Sequence, residues 1–443
     1  MSKRSIIAVL DGRDESDTRS VKPRTDNSIL LLNSTQAAPS RPPPFQQPYQ
    51  LLSFSYTSLP SPQDASQRIR SLEWNNSSMK YFISPPKSAN LAYGYERWIK
   101  RPEEKGRLDG LLEACLRSEC EGERRRAGVI AWRGVITKIL TAPYEDCDGW
   151  DLNVMCVDET LYLEEHLSEE KLREKSNLTG KHRLMTYYGY SFESYCTSDA
   201  PSRPRETQPV NGWGGDVDTN VQWCSIVKTK LDSTRMVIGG EVDCVRDKNT
   251  GRPDTFVELK TSIAIRPGNR NDEAKFEKKL LKFYIQSFLL GVPEVVVGFR
   301  SPSGYLQTVQ TFKTMDLPRS VRGKSGAWDP TICLAWGARV FEFLRAQIYD
   351  NDDERGVWRA TFTPGVGLSI RRLGVEDVGD VRAGDEEDRV GFMPRWYWER
   401  VHRQDDTSRS GDVGSEPNTE EPQILPKPEI SKKNSATIHG WQI

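Results

Sequence analysis

Four ionisable residues fall at alternating positions in two stretches of the chain. Glu241 and Asp243 lie in "GGEVDC" (239–244), and Glu258 and Lys260 lie in "VELKTS" (257–262). Both stretches are otherwise strand-like, with Met236, Val237, Ile238 and Val242 around the first pair and Phe256, Val257 and Leu259 around the second. Successive side chains of a strand point to opposite faces, so Glu241 shares a face with Asp243, and Glu258 with Lys260. If the two strands pair through the turn "RDKNTGRPD", three carboxylates and one ammonium converge on a single patch. Carboxylates that close repel one another unless a cation sits among them, and hard oxygen donors suit Mg²⁺ or Mn²⁺. The plainer alternative is an exposed hairpin whose Glu and Lys side chains pair in solvent.

The order of the residues sharpens the first reading. An Asp followed by a Glu-x-Lys is similar to the arrangement of PD-(D/E)xK metal-dependent nucleases, whose acids hold metals and whose lysine orients the nucleophile. A helix is expected next, over 273–291. In it Phe276, Leu280, Tyr284 and Phe288 form an apolar stripe, and Lys275, Lys279, Lys282 and Gln286 form a separate polar one. A solvated lysine face is the usual explanation of such a stripe, and a phosphate cradle is the alternative. Two other motifs fail. "GKS" at 323–325 has Pro318 where a phosphate loop needs glycine, and "GVG" at 365–367 lacks the third glycine of a dinucleotide fingerprint.

The elements that must position these residues alternate between strand and helix. Residues 107–118 have helical spacing, "GVIAWRGVITKIL" (128–140) is β-rich, 149–166 reads as a hairpin around Asp158 and Glu159, and 222–231 is a further strand. Beyond the 273–291 helix come "EVVVGFR" and "YLQTVQTFKT" as strands, a helix over 331–348, and late strands within 357–373. The expected fold is α+β, a mixed β-sheet core flanked by helices. It occupies one domain over 46–402, between polar tails at 1–45 and 403–443 whose composition cannot offset ordering entropy. The 443 residues include 62 basic and 63 acidic ones, which leaves no global field for non-specific nucleic-acid binding, so any polyanion site must be local. Eight scattered cysteines without a C-x-x-C pair and four unclustered histidines argue against zinc. The apolar run from Ser5 to Leu10 is too short for a signal peptide, and no run reaches a membrane span, so a soluble, reducing, intracellular setting is expected.

Several ordered blocks carry a resemblance. "GYERW" (94–98), "IAWRGVITKILTAPYE" (130–145), "YYGYSFES" (187–194), "VDTNVQWCSIVKTKL" (217–231), "GGEVDC", "VELKTS" and "KLLKFYIQSFLLGVPEVVVGFRSPSGY" (279–305) resemble the eukaryotic decapping nucleases that include DXO and its fungal nuclear relatives. The resemblance covers about residues 45–400. It implies a metal-dependent hydrolase at RNA 5′ ends that removes pyrophosphate from 5′-triphosphate RNA and releases incompletely methylated caps and NAD caps.

Carried over by position, the resemblance implies Glu193, Asp243, Glu258 and the carbonyl of Leu259 as ligands of Mg²⁺ or Mn²⁺, two ions in all. Glu241 would act on metal-bound water, itself near the metal, or on substrate, while Lys260 and Gln286 hold the scissile phosphate and nucleophile. Arg133, flanked by Trp132 and Gly134, matches an arginine that meets RNA phosphates, a task suited to a guanidinium. Cys224 and Glu103 match substrate contacts. Ser191 stands where relatives often carry a basic residue, and the segment 198–216 is longer than in the animal enzymes, which together with the tails favours the fungal nuclear branch. Members of that branch stabilise a nuclear 5′→3′ exoribonuclease, so such a partner, nuclear residence and an exposed strand edge such as "LQTVQTFKT" as its contact are expectations. Competing readings are a binding partner with a vestigial pocket and a DNA nuclease of the same core.

Overall fold

The computed structural model describes residues 28–32, 41–61, 68–177, 180–201, 210–349, 354–384 and 388–409, the last seven as helix backbone only. Two mixed sheets form the framework. The larger has ten strands in the order Ser28–Leu31, Gly367–Arg372, Trp358–Thr363, Trp150–Val157, Thr160–His166, Val129–Trp132, Thr234–Glu241, Gln222–Leu231, Phe45–Pro60 and Arg68–Glu73. The smaller has six, in the order Leu306–Lys313, Glu294–Arg300, Phe256–Ile263, Cys244–Val245, Tyr81–Phe82 and Thr197–Ser198.

One apolar core is common to both sheets. The helix Arg270–Leu290 lies in it, burying Phe276, Leu280, Tyr284 and Phe288 as the spacing predicts, against Val227 and Ile238 of the large sheet and Val295 and Val297 of the small one. Asn269 caps its first turn by accepting from the backbone N–H groups of Asn271 and Asp272, and Gly291 ends it at φ 73°. On the opposite face of the small sheet, Tyr187, Phe192 and Tyr195 of the helix Gly180–Cys196 pack on Val257, Leu259 and Val296. By strand alternation, Glu258 and Lys260 therefore share the face of Phe256, towards the Arg270–Leu290 helix.

The hairpin around Asp158 and Glu159 forms as expected, both residues at positive φ (46° and 59°), the twist that tight hairpins favour. Four expectations need correction. The stretch 128–140 is a strand only to Trp132; Arg133–Thr141 is a helix, because Val135, Ile136, Ile139 and Leu140 recur at helical spacing and bury one face. The polar tail of 1–45 includes a strand, Ser28–Leu31, paired antiparallel with Gly367–Arg372, and Phe45 is buried against Phe288. At the other end, the helix Arg395–Arg409 runs through position 403. The rest of both expected tails lies outside the described residues.

The fourth correction concerns the acids. Thr234–Glu241 belongs to the large sheet, the chain crosses over at Val242 and Asp243, and only Cys244–Val245 pairs with Phe256–Val257. Glu241 thus ends a strand of one sheet and Asp243 lies in the passage to the other, so the two do not share one strand face.

Candidate active site

Four elements bring the acids together. Glu241 ends its strand in the large sheet, Asp243 follows in the crossing, Glu258 is central in the small sheet, and Glu193 projects from the Gly180–Cys196 helix. Glu258 is fully buried. Its carboxylate accepts from Arg133 Nη1 at 3.0 Å and from Lys260 Nζ at 2.5 Å. Burial pushes its proton affinity up, but Arg133 and Lys260 more than offset this and hold the pKa at about 2. Lys260 and Arg133 are in turn kept charged against burial by Glu258, then Asp243.

The other three acids move the opposite way. Burial, then the Glu258 charge, pushes Asp243 up to about 7. Glu193 is raised well above the usual carboxylate range by burial, then by Asp243 and Glu241. Burial also raises Glu241, against the pull of Arg133 and Arg70.

Backbone geometry supplies a further donor. Cys244–Val245 covers the edge of the central strand only at Phe256 and Val257, so beyond it the ladder stops on that side. The N–H of Leu259 donates instead to Asp243 Oδ2 at 2.6 Å. In a strand a residue's N–H and C=O point the same way, so the carbonyl of Leu259 is also directed to the Asp243 side.

The positions flanking Arg133 follow from its place at a strand-to-helix turn. Trp132 is extended (φ −67°, ψ 146°), and its indole N–H donates to the carbonyl of Arg107 at 2.8 Å. At Gly134 an added Cβ would meet nothing within 4 Å, which leaves that side of the first turn open. Gly240 is the reverse case: a Cβ there would lie 2.8 Å from Leu290 Cδ1 and 3.0 Å from Arg133 Cβ. Gln286 is half-buried on the Arg270–Leu290 helix, one turn before Leu290 and one turn after Lys282, whose surroundings include Lys260. It therefore belongs to the helix row that passes the site.

A cavity of about 250 Å³ is lined by Glu193, Glu241, Asp243, Tyr190 and Gln222, and a second of about 180 Å³ adjoins it, sharing Tyr190, Thr219 and Gln222. Glu103 lines the second cavity, paired with Lys100 at 2.9 Å. Cys224 lies directly across the strand pair from Glu241 but is buried, its thiol pushed up to about 12 by burial and then by Glu241. It lines neither cavity.

Two neighbours were not singled out from the sequence. Gln222 Nε2 donates to Glu241 Oε2 at 2.8 Å. The Arg70 guanidinium lies 3.6 Å over the Tyr56 ring and contributes to the field at Glu241. Gln222 had a usable signal, since it lies two residues before Cys224 and so shares its face; Arg70, in "RIRSLE", had none.

Among the described residues, no three His, Cys, Asp or Glu side chains are spaced as a ready metal cage. Glu258 is turned onto Arg133 and Lys260, and Asp243 onto the Leu259 N–H. The donor set nevertheless fits a hard divalent cation: buried carboxylates raising one another's proton affinity, with a carbonyl at a free strand edge, are what such an ion relieves.

Comparison with known proteins bears on the fold and its class of chemistry. A family model described as RAI1-like PD-(D/E)XK nuclease matches residues 46–398. The chain belongs to that family. The PD-(D/E)XK relatives include "Decapping nuclease RAI1" of Mycosarcoma maydis, 34% identical, the match covering 82% of this chain and 89% of that one. "Decapping and exoribonuclease protein" of Xenopus laevis is 33% identical, with 68% and 78% covered. Among solved structures, Rai1 of Scheffersomyces stipitis in complex with (3′-NADP)⁺ and a calcium ion superposes with a TM-score of 0.70 at 25% identity, covering 85% of this chain and 100% of that one. The α+β architecture and the nuclease-type site expected from the sequence are those of this RAI1-like family, and the chain is accordingly an enzyme, a hydrolase.

Proposed function

We propose that this protein is a divalent-metal-dependent decapping nuclease that hydrolyses phosphoanhydride or phosphodiester bonds at RNA 5′ ends. Its substrates are 5′-triphosphate RNA, incompletely methylated caps and NAD caps, and its 5′-monophosphate product passes to a nuclear 5′→3′ exoribonuclease. The observation that carries this reading is the buried Arg133–Glu258–Lys260 cluster facing Asp243, in a chain whose relatives are decapping nucleases. The nuclear setting and the exoribonuclease rest on the likeness to the fungal nuclear branch.

Glu193, Asp243, Glu258 and the Leu259 carbonyl would hold Mg²⁺ or Mn²⁺, two ions at full occupancy. When bound, such ions acidify water and neutralise charge on the phosphoryl oxygens. The remaining work falls to the chain's own groups. Glu241, its Oε2 held by Gln222 and its proton affinity raised, is suited to take a proton from the attacking water. Lys260, kept charged, neutralises the scissile phosphate, and Gln286 donates to it from the passing helix row. Arg133 presents a guanidinium to the neighbouring phosphate. Glu103 and Cys224 border the substrate path, the latter through Glu241.

The test is incubation of purified protein with Mn²⁺ or Mg²⁺ and matched RNAs ending in triphosphate, unmethylated cap, NAD or monophosphate, beside a DNA of the same sequence. Release of pyrophosphate, cap dinucleotide or NAD is expected, falling by about 10³-fold in Glu258→Gln. Release that persists in an Asp243→Asn/Glu258→Gln double variant would remove these residues from the chemistry, and turnover of DNA alone would overturn the RNA assignment.

A further inference from the structure

In this reading the 5′ end has a site, but beyond the phosphate at Arg133 the trailing RNA has no cation assigned to it. On the Arg270–Leu290 helix, Lys275, Lys279 and Lys282 fall in one sector, about 6 and then about 4.5 Å apart along the axis, and all three are exposed. Gln286 and then Leu290, which approaches Gly240 beside Arg133, continue the same row towards the active site. Among the described residues none of the three lysines makes an ion pair, whereas the adjacent Lys278 and Lys324 pair with Asp146 and Glu277.

Acids lie near the row, Asp272 by Lys275 and Glu145 and Glu165 by Lys282, but none of them forms an ion pair with it. Burial of the stem and then Arg300 lower the proton affinity of Lys279; burial and then Lys138 and Lys260 lower that of Lys282. Exposed lysines that lack an ion-paired acid are stabilised by the phosphates of a polyanion. In a chain with a net charge of −1 no global field adds to this local effect.

We propose that Lys282, Lys279 and Lys275 form the track for the RNA body, taking backbone phosphates beyond the scissile bond as the strand leaves Lys260. This rests on the RNA 5′-end function above. Lysines act as point charges and read no base, which suits an enzyme whose substrates are defined by their 5′ end and not by their sequence.

The experiment compares wild type, Lys279→Ala/Lys282→Ala and a charge-matched control, Lys171→Ala/Lys175→Ala on the Glu169–Ser176 helix. Each is assayed with Mn²⁺ on a 5′-triphosphorylated dinucleotide and on a single strand several times longer, across a salt series. The wild type is expected to favour the longer strand. The double variant loses that preference through a roughly tenfold rise in KM for the long RNA, and its dependence of log KM on log salt flattens by about 1.4, or 0.7 for each phosphate no longer neutralised. The control keeps the wild-type slope. An unchanged slope and length preference in the double variant, with the wild type active, would reduce the stripe to a solvated face and leave the function standing. Wild-type failure on both RNAs overturns the function and the track with it.

Discussion

Glu258 gathers more of the site's electrostatics than any other side chain around it. A carboxylate with no solvent access is costly to keep ionised, and here two cations from different elements meet that cost: Arg133 from a helix start and Lys260 from its own strand. Removing one leaves a buried charge with half its compensation. Arg133→Ala is therefore expected to lower the unfolding free energy by about 2–4 kcal/mol in the presence of a chelator. Adding Glu258→Gln should return part of it, a coupling of about 1–3 kcal/mol. Urea denaturation of wild type, both single variants and the double variant measures this directly, and purely additive losses would mean that Glu258 does not depend on Arg133. At this scale the sequence was informative where residue type clashed with surroundings: Asp243, Glu258 and Lys260 are charged in strand-core company. It marked Gln222 only through its place two residues before Cys224 and was silent on Arg70, because both act on Glu241 across strand registers that no local pattern encodes.

At the scale of elements, the site exists because the chain passes from one sheet to the other at Val242 and Asp243 and a short helix begins at Arg133 beside them. Strand alternation alone would put Glu241 and Asp243 on one face. The crossing brings them near each other by changing sheets instead, a feature of topology invisible to a period of two. The helix Arg133–Thr141 was hidden for a different reason: its Val135, Ile136 and Ile139 favour strands by type, and only burial of one face against the common core makes them helical. The long helix was legible in full because its apolar stripe repeats turn after turn. Close packing of these elements puts Gly240 where a side chain has no room. Gly240→Ala forces a methyl against Leu290 and the stem of Arg133, and a cost of about 1–3 kcal/mol is expected. The displaced guanidinium should also lower kcat more than it raises KM. A thermal melt beside steady-state kinetics tests both, and unaltered kcat in a destabilised protein would show that Arg133 is not held by this contact.

Across the whole molecule, the candidate metal ligands come from separate parts of the fold: Glu193 from a helix on one face of the small sheet, Asp243 from the passage between sheets, and Glu258 with Leu259 from the central strand. An ion held by all of them would cross-link these parts, and its binding free energy would add to folding stability by mass action. At a hundredfold excess over the dissociation constant that contribution is about 2.7 kcal/mol, enough to raise the melting temperature by several degrees in a protein of this size. The expected outcome is that Mn²⁺ or Mg²⁺ raises Tm in a saturable way and that chelation reverses it. The proton affinities of Glu193 and Asp243 are raised chiefly by burial and then by neighbouring acids, so neutralising one acid relieves the others and partly stabilises the metal-free chain. Asp243→Asn should therefore have an equal or higher Tm than wild type in chelator and lose most of the metal-induced rise. A variant that melts lower in chelator yet keeps the full rise would show that the acids serve the fold and that the cation is held elsewhere.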